Sequence, residues 1–81
     1  MPYIKLNDRA NIDLGAHPQT AGELNFCITK LIMRYLRGKN MNYQRVNDCL
    51  GALEGAKLEF YRRVVAPYEN MKCEENGDVY R

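Results

Sequence analysis

Two runs of apolar residues at helical spacing, separated by one short turn, constrain this chain more than any other feature. Leu24, Cys27, Ile28, Leu31, Ile32 and Tyr35 recur at steps of three and four, the signature of one apolar stripe on an α-helix. Val46, Cys49, Leu50, Leu53, Ala56, Phe60 and Val64 form a second stripe, widened on one side by Leu58, Tyr61, Val65 and Tyr68. Between them lies Gly38-Lys39-Asn40-Met41-Asn42, and so short a helix–helix connection favours antiparallel neighbours. The pattern predicts an all-α fold: an antiparallel two-helix hairpin with a kinked second helix and short terminal arms.

Boundary signals place the elements. Thr20 precedes Glu23 by three residues, a capping box in which each side chain accepts from the other residue's free backbone N–H. Arg34 and Arg37 suit the negative end of the helix dipole, and Gly38 suits the position just past it. Helix 1 is therefore expected over 21–37. Asn42 can cap a second helix over 43–66. Pro67 removes the hydrogen bond to the Arg63 carbonyl and should kink or end that helix. A short helix over 68–75 would follow, stopped by Asn76-Gly77. Residues 1–19 read as an arm with one helical turn around Asp8–Ile12, and 76–81 as a polar tail, all within a single small domain.

Size gives these stripes a second meaning. A chain of 81 residues buries only about 60–65% of its unfolded surface, so its margin of stability is thin. Small scaffolds commonly rely on a disulfide, a metal or a partner chain. The three cysteines, Cys27, Cys49 and Cys73, are odd in number and lack C-x-x-C spacing, which argues against a disulfide framework. They fit a reducing, cytoplasmic setting in which a free thiol acts as a small core hydrophobe. Helix 2 carries more apolar surface than one neighbouring helix can cover. A homodimer forming a four-helix arrangement is the expected remedy.

Several segments resemble a known family. Met1-Pro2-Tyr3-Ile4-Lys5, Ala21-Gly22-Glu23-Leu24-Asn25, the run from Gly51 through Glu69 that contains Ala-Lys-Leu-Glu-Phe-Tyr-Arg-Arg-Val-Val-Ala-Pro-Tyr-Glu, and Glu75-Asn76-Gly77-Asp78-Val79-Tyr80 are similar to a family of short proteins of uncharacterised function in bacteriophage and bacterial genomes. The resemblance implies phage or prophage origin and a bacterial host. It supplies no functional residue.

Composition narrows the function classes. Net charge is +2, with 27% charged and 46% hydrophobic residues, a globular balance that calls for neither a nucleic-acid nor a membrane partner. No stretch approaches the roughly 20 apolar residues of a membrane span, and the start shows no export-signal pattern. No serine occurs, so serine-nucleophile chemistry is excluded. His17 is the sole histidine, in a loop before Pro18, and alone it makes no zinc ligand set. No catalytic residue, metal ligand or cofactor is therefore assigned.

Four features remain. Gly51, Ala52, Gly55 and Ala56 place small residues inside helix 2, where each glycine costs about 1 kcal/mol relative to alanine. Small residues at that spacing let another helix approach closely, within the subunit or as a dimer seam. Lys30, Arg34, Arg37, Lys39 and Arg45 gather around the turn with no acidic residue from Leu24 to Asn47. Of these, Arg34, Arg37, Lys39 and Arg45 are the candidate phosphate contacts, against the plainer reading of a solvated hairpin tip. Tyr61, Arg62 and Arg63 can form a polar face with Glu59 and Glu69, the order Glu59 before Arg63 being the favourable one.

Glu23 and Glu54 are the carboxylates to weigh for a metal-dependent nucleotide hydrolase resembling the helical pyrophosphohydrolases. However, Glu54 and Glu59 lie about 140° apart around a helix and share no face. The leading expectation is a small non-enzymatic protein-binding or adaptor protein docking on a host or phage protein. Nucleic-acid binding and nucleotide hydrolysis are the alternatives.

Overall fold

Periodic apolar residues, side-chain caps and two glycines at helix ends set the elements. The computed structural model describes residues 2–80, and these contain three helices and no strand. Helix α1 runs Leu6–Asp13 and α2 runs Ala21–Leu36. The third is long: α3 (Tyr43–Phe60) passes through a π-helical turn (Tyr61–Val65) into α4 (Ala66–Asn76) without a break. Met1 of the N-terminal arm and Arg81 of the tail lie outside the described residues. The chain divides between Met41 and Asn42 into two units.

In the first unit, α2 begins at a cap close to the expected one. The Glu23 N–H donates to Thr20 Oγ1 at 3.1 Å, while Glu23 Oε1 accepts from the backbone N–H of Gln19 at 3.0 Å. The reciprocal bond thus reaches one residue further back than a standard capping box. At the other end Gly38 takes φ +74°, a left-handed turn that only glycine makes without a Cβ clash.

The arm holds more helix than the single turn expected of it, and α1 packs on α2. The Arg9 guanidinium ties its start by donating from Nε to the Ile4 carbonyl at 2.8 Å. Phe26 is the one buried hydrophobic residue among those described. At 100° per residue, Leu24, Ile28, Leu31 and Tyr35 point about 140–180° away from Phe26, and all four are exposed. Four of the six residues of the stripe that dominates the sequence of α2 are therefore left exposed, with Cys27 and Ile32 half-buried. Phe26 falls between the stripe's positions, so its burial is not read from the stripe.

The second unit is a single helix followed by a turn. The helix expected to kink or end at Pro67 continues through it to Asn76. Proline would leave the Arg63 carbonyl without its partner and press its ring against that carbonyl. The preceding turn widens: the Ala66 N–H donates to the Tyr61 carbonyl five residues back, which accommodates the ring at the start of α4 while the backbone stays right-handed helical at Phe60, Tyr61, Val65 and Ala66. Gly77 at φ +86° then ends the helix, its N–H donating to the Cys73 carbonyl at 2.8 Å.

Candidate functional site

The long helix begins at Asn42, whose Oδ1 accepts from the Arg45 N–H at 2.9 Å. This satisfies one of the donors a helix start leaves orphaned. Taking Phe60 as reference, Val46, Cys49, Leu53 and Ala56 lie within about 40° on either side of it. They form one apolar stripe along α3. Phe60 and Val64 are 59% and 52% exposed, values that leave most of each side chain in water. A single helix has nothing of its own to fold these residues against, and isolated helices gain little stability from propensity alone.

The π turn decides which residues extend this stripe. In an uninterrupted α-helix Pro67 would fall almost in line with Phe60, with Tyr68 about 80° off. The extra residue in the wide turn sets everything beyond it back by roughly one residue's rotation. Tyr68 is thereby brought into line behind Val64, and Pro67 is turned aside. The bond between Tyr61 and Glu69 reports the same rotation: Tyr61 Oη donates to Glu69 Oε1 at 2.8 Å across eight residues. The Glu69 carboxylate, first through that hydrogen bond and then through its charge, raises the Tyr61 pKa above its ordinary 10.0.

Ion pairs occupy the other faces. Glu59 holds both Arg62, at 2.6 Å, and Arg63, giving the polar face expected around Tyr61. Glu54 pairs with Lys57 at 3.6 Å and Glu75 with Lys72 at 3.4 Å. All are exposed pairs of the kind that contributes at most about 1 kcal/mol each. Gly51 and Gly55 lie about 140–180° around from Phe60, on the side of Asp48 and Glu59. A Cβ built on either meets no atom within 4 Å. Ala52 and Ala56, by contrast, flank the apolar stripe.

The basic residues divide between the units. Arg34, Arg37 and Lys39 belong to the first and Arg45 to the second. Lys39 is committed locally: its ammonium donates to the Tyr35 carbonyl and sits 4.5 Å from the centre of the Tyr35 ring. Arg34 borders a shallow cleft of about 420 Å³ between α1 and α2, lined also by Ile12, Asp13, Cys27, Lys30 and Leu31. Charges of both signs and an apolar floor give that cleft no single ligand preference.

The carboxylates considered for metal chemistry have structural partners, Glu23 in the cap of α2 and Glu54 with Lys57. Among the described residues no three His, Cys, Asp or Glu side chains gather to hold a metal ion. Cys27, Cys49 and Cys73 are free thiols, each half-buried. No helix of the described residues is long and apolar enough to cross a membrane. The alignment of Tyr61 with Glu69 and the entry of Tyr68 into the stripe escaped the periodicity argument. The signal that pointed toward them was Pro67, a proline inside an otherwise continuous helical pattern.

Comparison with known proteins gives one match. A family described as a domain of unknown function, DUF6899, matches residues 1–79. No curated protein and no solved structure matches the chain.

Proposed function

Since the chain belongs to the DUF6899 family, whose description assigns no chemistry, we propose a role from its own geometry: a small, non-enzymatic interaction protein of phage or prophage origin that works through its long helix. One observation carries this reading. Residues 43–76 form a single helix whose apolar stripe begins at Val46 and is more than half exposed at Phe60, Val64 and Tyr68. Burying such a stripe is worth on the order of 1.5–3 kcal/mol for each large side chain, so a partner that covers it is strongly favoured. In this reading the Gly38–Asn42 connection closes an antiparallel hairpin, chains associate as a helical bundle, and the protein acts in the cytoplasm of a bacterial host as an adaptor.

The experiment is site-specific photo-crosslinking in host cells with the full chain. A crosslinker at Val64 should capture a protein, either a second copy or another chain. The same crosslinker at Gly51, on the opposite side of the helix, should capture little. Equal capture at both positions, or none at either, removes the reading. Capture of nucleic acid through Arg34, Arg37, Lys39 or Arg45 in a parallel low-salt band-shift series would favour the alternative, and charge reversal at Arg34 and Arg37 would then abolish it.

A further inference from the structure

We propose that the partner covering the long helix is the same helix of a second copy, running antiparallel and centred on Phe60. This rests on reading that helix as the working surface.

Three observations point to this occupant. First, the helical run Tyr43–Asn76 has its midpoint beside Phe60, so an antiparallel pairing centred there overlaps the helices along their whole length. Second, the stripe is matched about that centre. Ala56 falls opposite the partner's Val64, Cys49 opposite the partner's Met71, and Leu53 next to the partner's Tyr68. Small thus meets large at the Ala56 and Cys49 levels, as interdigitating layers require, while Phe60 stacks on its own copy at the centre. The π turn is needed for this match, because it brings Tyr68 into line.

Third, the ends of the helix are charged against its own dipole. The first turn of α3 has no acidic residue and carries Arg45, while the last turn of α4 has no basic residue and carries Glu74 and Glu75. Cations at a helix start and anions at its end are unfavourable in an isolated helix. Antiparallel pairing reverses that penalty. Arg45 and Glu75 each stand fifteen residues from Phe60 and, given the rotation at the π turn, on the same flank. Each Arg45 then faces the other copy's Glu75. A parallel pair would instead gather both Arg45 at one end and both Glu75 at the other, with no opposite charge at either level. Near the centre Lys57 approaches the partner's Arg63; each carries a carboxylate of its own helix, Glu54 and Glu59 respectively, as Glu75 carries Lys72.

The test uses association of the full chain, measured by sedimentation equilibrium over a concentration series, for the wild type, Arg45→Glu, Glu75→Arg and the double variant. Within one helix these residues are about 45 Å apart at 1.5 Å per residue, so any coupling between them arises between chains. Each single reversal improves the fit of its own helix to the dipole, but Glu75→Arg also gives up the Lys72 pair. Helix content by circular dichroism is therefore followed in every variant, and a loss of association counts only where it is retained. The expected result is a wild-type species of twice the 9.4 kDa chain mass. Each single variant should raise the dimer Kd about tenfold and the double variant should return it to within about threefold of wild type.

A wild-type chain that stays monomeric while Val64 crosslinks to a different protein overturns the proposal and leaves the interaction reading standing. A dimer whose Kd ignores both reversals, or that the double variant fails to rescue, overturns it as well.

Discussion

Tyr61 donates its hydroxyl hydrogen to Glu69 at 2.8 Å although the two are eight residues apart on one helix. In a regular α-helix such residues point about 80° apart. The π turn at Tyr61–Val65 closes that angle. The pair therefore reports the local geometry that aligns the two halves of the long helix, and it does so through a titratable group.

Because Glu69 raises the Tyr61 pKa, Tyr61 should ionise above the ordinary tyrosine value of 10.0 in a site-resolved titration. The folded state holds this proton more tightly than the unfolded one. Its stabilising contribution is thus complete below pH about 10 and is lost as pH climbs through the raised value. Glu69→Gln should return Tyr61 to the ordinary tyrosine range. A Tyr61 that titrates at or below 10.0 in the wild type would contradict the hydrogen bond.

Pro67→Ala restores a backbone N–H that can reach the Arg63 carbonyl. The π turn should then relax toward regular α-helix, rotating Glu69 away from Tyr61 and Tyr68 away from the Phe60 stripe. Two readouts follow together: the high Tyr61 pKa disappears, and whatever association the stripe supports weakens. Helix content by circular dichroism should hold or rise. If Tyr61 keeps its raised pKa in this variant, proline is not the cause of the wide turn.

Gly51→Ala and Gly55→Ala test whether the small-residue strip is a seam. Neither position meets another atom within 4 Å, so each substitution should stabilise the helix by about 1 kcal/mol. Thermal unfolding should move upward accordingly, with association unchanged. A loss of association on adding either methyl group would instead locate a close-packed partner on the glycine face.

Phe26→Ala removes the buried residue of the first unit. Truncations of this kind cost about 3–5 kcal/mol in a well-formed core, and here the main loss should be the docking of α1 on α2. Hydrogen exchange should show the amides of Leu6–Asp13 becoming unprotected before those of Ala21–Leu36. Protection retained across α1 would mean that some other contact holds it in place.

Much of this was legible in the sequence, and for identifiable reasons. Thr20, Glu23, Asn42, Gly38 and Gly77 mark helix ends through local chemistry, and local chemistry survives whatever the rest of the chain does. The all-helical class follows from the spacing of Val46, Cys49, Leu53 and Phe60 alone. Phe26 was not legible as the buried residue, because periodicity ranks faces by how many apolar residues they hold. Burial instead depends on where a neighbour happens to lie. Pro67 was legible as a disturbance but not as a tolerated one. Whether a helix stops at a proline depends on whether the turn before it can widen.

The amino-acid sequence by itself determined the all-helical class, the caps at Thr20 and Asn42, the stops at Gly38 and Gly77, and the surplus of apolar surface on the long helix. These are properties of residues a few positions apart. Only the tertiary structure decided that Phe26 is buried while Leu24, Ile28, Leu31 and Tyr35 stay exposed, and that Tyr61 and Glu69 share one side of the helix. Both depend on rotations about a helix axis, which one neighbour or one extra residue in a turn resets for every side chain beyond it.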